Sequence, residues 1–556
     1  MQALIDRKVP AEDGVELATD VYLPDGPGPF PAVVVRTPYH RVGQQGLAPL
    51  FTGRGYALVV QDCRGKYDSD GVFTPLMDEA RDGQATIDWA ANQKWCNGRI
   101  GLWGRSYLGI VQVPAASSGH EALQCIVPSV APGSFFRDWL RYDGCFALGN
   151  AIRWGVTHAS VRTQPPQGHF TWEELWRLPS PAAIAARVGI ETPVLSVWAE
   201  HDRYDKYWET IDQCRMHERI RMPGYHVGGW FDHLSRGQFE AYQNIRDYGA
   251  TELARAGQKL LIGPWGHRNT GNTGPDHCMY GDWDFGPEAD LPVLTHELQF
   301  LDFYLKDEDN GYTSQPPVKV FLMGANRWIA LDDWPPPGSE IQSWYLDSGG
   351  GANMRIGDGR LCLETPNASA ADTFRYDPAD PVPTRGGPIY WGYEQVGPVD
   401  QRPLLDRPDV LYYRSEKLPA PLIVIGEPEL DLCVSSSAVD TDFVAKLCVE
   451  EPSGAVTCLT LSSLRCRYRG SWAEPEPLVP REATWIHLRL LPTGYVFPAG
   501  SRLCLMVTSS DFPRILPHPN TMAAPWADTK ALVARNAVLH GPGIPSRLRL
   551  PVLEGN

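Results

Sequence analysis

The segment that most narrows what this chain can become lies between residues 100 and 118. Ile100-Gly101-Leu102-Trp103 is an apolar run of strand length, and it enters Gly104-Arg105-Ser106-Tyr107-Leu108-Gly109 without a spacer. Residues 110–118 continue apolar and small at helical length. Strand, sharp glycine-bounded turn, helix is the pattern of an α/β architecture. Such a turn lifts its central side chain clear of the backbone, and small neighbours permit the strained geometry. Ser106 sits at that centre. Gly104 stands two residues before it, as the turn requires. Leu108 occupies the place two after it where glycine is usual, with Gly109 one further on. Taken alone, the hexapeptide also reads as a helix capped by serine.

The surrounding chain repeats the alternation. Ala32-Val33-Val34-Val35 and Ala57-Leu58-Val59-Val60 suit buried parallel strands. Residues 78–91 carry Ala80, Gly83, Ile87, Ala90 and Ala91 at helical spacing, and Asn97-Gly98 forms a turn. Amphipathic helical pieces rich in Trp, Arg and Phe dominate 135–219, and strand signals return at 225–229 and 259–263. After about 310 helical patterns nearly vanish. Trp334-Pro335-Pro336-Pro337-Gly338 reads as a turn or linker, and 430–434, 443–449, 485–491 and 503–507 read as strands of a sandwich. A chain of 556 residues exceeds one core. The expected organisation is an α/β core over 1–134 and 220–310, a helical cap inserted at 135–219, and a β domain over 311–556.

Lys and Arg total 50 against 66 Asp and Glu, a net charge of −16. That balance argues against nucleic acid and anionic membranes as partners and leaves a small-molecule substrate, with self-association open. The opening Met1-Gln2-Ala3-Leu4-Ile5-Asp6-Arg7-Lys8 has no apolar core of a leader, and no run reaches the roughly 18 apolar residues of a membrane span. A cytoplasmic protein is expected. The 12 cysteines show neither CxxC nor zinc spacing, so reduced thiols and no metal are expected.

A serine hydroxyl becomes a useful nucleophile only when a base takes its proton. Of the 14 histidines, His267 follows a strand signal; His226 lies inside one and should point into the fold, and His233 should be solvated. None pairs with carboxylates at metal spacing. For the acid that orients the imidazole, Asp202 and Asp205 follow the strand-like run 194–198, while Asp232 follows 225–229. The pattern leaves this choice open; capping or surface pairing is the plainer role for Asp202 and Asp205. The backbone N–H of Tyr107, next after the nucleophile, is the natural first oxyanion donor.

Several motifs in order resemble the cocaine-esterase (CocE/NonD) family, in the wider group with Xaa-Pro dipeptidyl-peptidases and α-amino acid ester hydrolases. They are Arg36-Thr37-Pro38-Tyr39, Gln61-Asp62-Cys63-Arg64-Gly65 with Ser69 and Gly71, Asn97-Gly98-Arg99-Ile100-Gly101, the Ser106 hexapeptide, His226-Val227-Gly228-Gly229-Trp230-Phe231-Asp232, and Gly263-Pro264-Trp265-Gly266-His267. The family's turn is Gly-x-Ser-Tyr-x-Gly, which accommodates Leu108. The resemblance implies an α/β-hydrolase core with a helical insertion and a C-terminal jelly-roll-like domain. It implies a cofactor-free serine hydrolase with Ser106, Asp232 and His267 as its triad. It also implies Tyr39 as the second oxyanion donor and an acyl pocket lined from the insertion, for which Trp139 and Trp154 are candidates, with Leu234 beside Asp232. The ammonium-binding carboxylates of the amino-ester branch have no counterpart here residue by residue, which favours a neutral acyl group. The alternatives are a dipeptidyl-peptidase or acyltransferase on the same triad and, more remotely, a non-catalytic binding protein.

Overall fold

Strands covered on both faces read as unbroken apolar runs, and the central strands of the first sheet contain such runs, as at 32–35 and 57–60. The computed structural model describes residues 1–158, 166–268, 270, 278–354, 357–390, 395–527 and 530–554. The first sheet contains β1 (Gln2–Pro10), β2 (Glu16–Leu23), β3 (Phe30–Thr37), β4 (Ala57–Asp62), β5 (Cys96–Arg105), β6 (Leu123–Ser129), β7 (Gly224–Gly229), β8 (Gln258–Gly263), β9 (Val318–Leu322) and β10 (Arg327–Leu331). Its order is β1-β2-β4-β3-β5-β6-β7-β8-β9-β10. From β4 across to β9 neighbours run parallel, and β1, β2 and β10 add antiparallel edges.

Alternate residues of β3 serve opposite faces. Val34 joins the core that holds Ile87 and Ala90 of helix Glu79–Ala91, while Val33 and Val35 join the one that holds Leu298 and Leu301 of helix Val293–Lys306. From β3 the chain crosses to β4 on one side, and β5 lies on the other. Connections that diverge in this way open a crevice beyond the carboxyl ends of the central strands.

The segment between β6 and β7 is helical, with Leu148–His158, Pro181–Val188, Pro193–Glu200 and Lys206–Ile211 among its helices. Buried Trp139, Trp154, Trp198 and Trp208 hold it together. The run 194–198, expected as a strand, lies inside helix Pro193–Glu200. Proline suits a first helical turn, and a short apolar run does not by its period distinguish the two structures.

The first sheet continues past 310 through β9 and β10, and the second begins at Ser339–Asp347. That second sheet has 13 strands. They include Glu429–Ser436, Asp442–Glu450, Thr484–Arg489 and Arg502–Thr508, where the alternating segments were expected. One apolar core crosses the junction, joining Trp230, Phe239 and Ile262 to Leu411, Val424 and Leu505. Among the described residues no helix is long and apolar enough to cross a membrane.

Candidate active site

The carboxyl ends of four strands deliver the expected residues to one place: Tyr39 after β3, Ser106 after β5, Asp232 after β7 and His267 after β8. Ser106 has φ 57° and ψ −127°. A non-glycine residue held there costs about 1–3 kcal/mol, so its neighbours must enforce it. Ser106 N donates to Ser129 O at 3.0 Å, and Ile110 N donates to Ser106 O at 2.8 Å. A Cβ on Gly104 would stand 2.5 Å from Leu108 Cβ, and one on Gly109 would stand 2.7 Å from Ser129 O. The close approach that ordinarily demands glycine two residues past the serine falls one residue later here. Leu108 is free to pack into the core with Trp103 and Val127. Ser106 occupies the N-cap of the following helix, yet its side chain makes no capping bond. Its Oγ lies 2.9 Å from His267 Nε2.

On the other side of the ring, His267 Nδ1 lies 3.1 Å and 3.3 Å from the two oxygens of Asp232. Asp232 is fully buried, and its Oδ1 also accepts from Leu234 N at 3.0 Å. Burial pushes its carboxyl up in pKa, but the facing His267 and His233 outweigh burial and hold it well below the usual range. His233, expected to be solvated, is 2 % exposed. The turn after Asp232 carries it under Tyr390, whose ring centre is 5.2 Å away, and edge-on to His267 at 5.0 Å. Its Nδ1 stands 3.1 Å from Asp232 Oδ1, off the hydrogen-bond axis.

Tyr39 is held from two directions. Its N–H donates to Thr37 Oγ1 at 3.0 Å, and the next turn is pinned where Arg41 N and the Arg41 guanidinium each donate to Asp62 at 2.6 Å. Its hydroxyl reaches the Ser106 side chain and the Tyr107 backbone N–H and accepts from Trp154 Nε1 at 3.3 Å. Burial pushes the hydroxyl up to about 12, so it remains an O–H donor at neutral pH. The Tyr107 hydroxyl is committed to two other partners. It donates to Glu79 Oε1 at 2.8 Å and accepts from Leu76 N at 2.9 Å. Arg36 donates to the other Glu79 oxygen at 2.8 Å. The buried Arg36–Glu79 pair thereby fixes the Tyr107 ring. Sequence reasoning missed Glu79, because an acidic residue opening a helix reads as an ordinary first-turn charge.

These groups border a cavity of about 260 Å³. Trp139, Trp154 and Leu234 all line it. Trp154 stacks on Tyr107 with centroids 5.6 Å apart, and Trp139 meets Trp154 edge-on at 5.3 Å. Also in the lining, and not expected, are Ile110, Val130, His158 and Tyr390, the last from the β domain. Burial and nearby Lys66 lower His158 to about 4, so it is neutral. Asp202 and Asp205 lie elsewhere: Asp205 caps helix Lys206–Ile211 by accepting from Tyr207 N at 3.0 Å, and Asp202 pairs with Arg141 at 3.4 Å and Arg467 at 3.3 Å. His226 is buried, with Nε2 2.8 Å from Gln258 Oε1. Asp232, His233 and His267 are close enough together to suggest metal ligands, but the Asp232 oxygens and His267 Nδ1 already face one another.

Residues 13–269 match the profile of the X-Pro dipeptidyl-peptidase (S15) family, and 310–549 match the X-Pro dipeptidyl-peptidase C-terminal non-catalytic domain. The chain is 34 % identical to cocaine esterase of Rhodococcus sp. strain MB1 Bresler, over 98 % of each chain. Among solved structures, an aminopeptidase from a marine sediment Thaumarchaeota archaeon superposes with TM-score 0.83 at 27 % identity, covering 100 % of this chain and 96 % of that one. An α-amino acid ester hydrolase superposes with TM-score 0.82 at 26 % identity, covering 99 % and 96 %. The chain belongs to the cocaine-esterase (CocE/NonD) family of serine hydrolases.

Proposed function

We propose that the protein is a carboxylesterase whose acyl-enzyme forms on Ser106, with His267 as base and Asp232 as the acid that orients it. The observation that carries this reading is the contact chain Ser106 Oγ–His267 Nε2–Asp232, at 2.9 Å and 3.1 Å. His267 Nε2 takes the Ser106 proton as Oγ attacks the ester carbon. The oxyanion is met by the Tyr39 hydroxyl and the Tyr107 N–H. The tetrahedral intermediate collapses as His267 protonates the departing alcohol. His267 then deprotonates a water that attacks the acyl-enzyme, and the acid leaves. Asp232 keeps Nδ1 protonated throughout and steadies the imidazolium. Trp139, Trp154 and Leu234 form the apolar wall for the acyl group.

Similarity to cocaine esterase across nearly the full length supports ester cleavage. Peptidase or amino-ester action requires an anchor for a substrate ammonium. Among the described lining residues of the cavity there is no carboxylate. The test is covalent labelling with a fluorophosphonate alongside rates on p-nitrophenyl acetate through octanoate. The wild type should gain one adduct and turn over neutral esters, and Ser106→Ala should do neither. Labelling that persists in Ser106→Ala would refute the assignment of the nucleophile.

A further inference from the structure

His233 is buried against the triad, and the mechanism gives it no task. Neither of its ring nitrogens makes a hydrogen bond among the described residues. Its ring borders two cavities. One is the cavity of Ser106 and His267. The other, of about 20 Å³, has room for about one water molecule and is bordered by Asp138, Arg236, Ser463 and Arg514 as well. Arg137, Asp143 and Arg236 carry its wall on into a third cavity, of about 410 Å³, whose Gly470, Ala473 and His487 are exposed to solvent. A cleft reached by solvent, a small polar space and the catalytic cavity thus follow one another through shared side chains. The ions along the way are loosely paired. Arg236 stands 3.5 Å from Asp138, 3.7 Å from Asp143 and 3.3 Å from Glu427, against about 2.7–2.9 Å for a direct charge-assisted bond. Asp138 Oδ1 and Arg236 Nε make no hydrogen bond among the described residues.

Buried charges in such geometry are costly unless further donors and acceptors complete them. Water does so, since a buried molecule typically makes about three hydrogen bonds to polar groups that lack other partners. Ile110, Val130 and Leu234, in the catalytic cavity, offer it none. From this succession of cavities we infer that the water that deacylates the enzyme enters from the cleft between the helical insertion and the β domain, passes Arg236 and Asp138, and is handed to the triad by His233. His233 acts as a positioning residue, and the step itself keeps its chemistry. His267 Nε2 takes a proton from the water, the water oxygen bonds to the acyl carbon, and Ser106 Oγ leaves and receives that proton. The route lets water reach the acyl-enzyme while the departing alcohol still occupies the catalytic cavity. The inference rests on the esterase reading above and adds to it a path for the second substrate.

The test follows how the acyl-enzyme divides between water and methanol. With p-nitrophenyl butyrate in aqueous methanol, the full-length enzyme releases butyrate and methyl butyrate. Methanol, larger than water, does not share the narrow route. Leu491→Phe enlarges an apolar side chain in the wall of the small cavity, and His233→Phe removes both ring nitrogens. Each should raise the ratio of methyl butyrate to butyrate about fivefold or more, the equivalent of about one hydrogen bond. In both, kcat/KM, which reads acylation, should be unchanged. His233→Asn, which keeps a donor and an acceptor, should return the ratio to that of wild type. A wild-type ratio in Leu491→Phe, or in a His233→Phe that still takes up fluorophosphonate, would overturn the inference and leave the esterase reading intact. Failure of His233→Asn to restore the ratio would overturn the role of His233. Should His233→Phe misfold, the ratio in Leu491→Phe decides alone. Hydrolysis no faster in wild type than in Ser106→Ala would overturn both readings.

Discussion

At Tyr39 the oxyanion role proposed above rests on a single oxygen, and the packing of the ring does not. The ring stays wedged between the His158 ring, 4.7 Å away, and Tyr107, 6.4 Å away, whether or not that oxygen is present. Tyr39→Phe should therefore lower kcat about 10²–10³-fold with an unchanged melting temperature, and retention of more than a tenth of wild-type turnover would remove Tyr39 from the mechanism. Asp232 makes a different demand. Asp232→Asn should lower kcat by about 10⁴, because the amide stabilises the wrong tautomer of His267. The same substitution carries a pH signature. The native carboxyl titrates below its unfolded value of about 3.9, so its contribution to stability is present above about pH 4 and is lost as pH falls through the native value. Urea midpoints of wild type and Asp232→Asn should converge on acidification below about pH 4; a constant gap from pH 7 to pH 3 would contradict the ionic role. At this scale the sequence was legible where a local motif sets the backbone, as with the strained turn at Ser106. Glu79, His158 and Tyr390 were not, since each meets the site through contacts distant in the chain.

The element that concentrates these demands is the strand–turn–helix around Ser106. Its strain is held by β6, whose Ser129 carbonyl takes the Ser106 N–H and leaves no room for a side chain at 109. Gly109→Ala should push the helix off β6. A displacement near 1 Å costs about 10²-fold in rate, so kcat and fluorophosphonate labelling should fall together by roughly that factor while far-ultraviolet dichroism is preserved. Normal labelling in that variant would mean that Ser129 yields instead. Glycine at 104 and 109 was visible in the sequence, but the reason for the spacing was not: Leu108 is tolerated because its side chain leads into the core rather than toward β6. The helical segment between β6 and β7 shows the opposite limit. Residues 194–198 have the composition of a strand, and their helical state follows from Pro193 and from packing around Trp198.

Across the whole molecule the two sheets are not independent bodies on a linker. The core that crosses the junction includes Trp230, next but one to Asp232, and Tyr390 brings the β domain to the cavity wall. A chain ending at Gly338 would expose the apolar faces of Trp230, Phe239 and Ile262. It should be insoluble and inactive, and the intact protein should unfold in one calorimetric transition. A soluble, esterase-active fragment lacking 339–556 would disprove that coupling.

By itself the sequence determined the parts whose causes are local. Apolar runs of strand length gave parallel strands, the glycine-bounded serine gave the strained turn, and alternating segments beyond Ser339 gave the second sheet, because steric and periodic constraints act within a few residues. The order of Ser106, Asp232 and His267 along the chain was also readable, through motif resemblance. What only the tertiary structure decided is what lies beside them. It enclosed His233, set the Arg36–Glu79 pair against the Tyr107 hydroxyl, and seated Asp202 and Asp205 away from the cavity. Those outcomes depend on burial and on Coulomb interactions between groups as far apart in the chain as Asp202 and Arg467, 265 residues, and no local pattern encodes such distances.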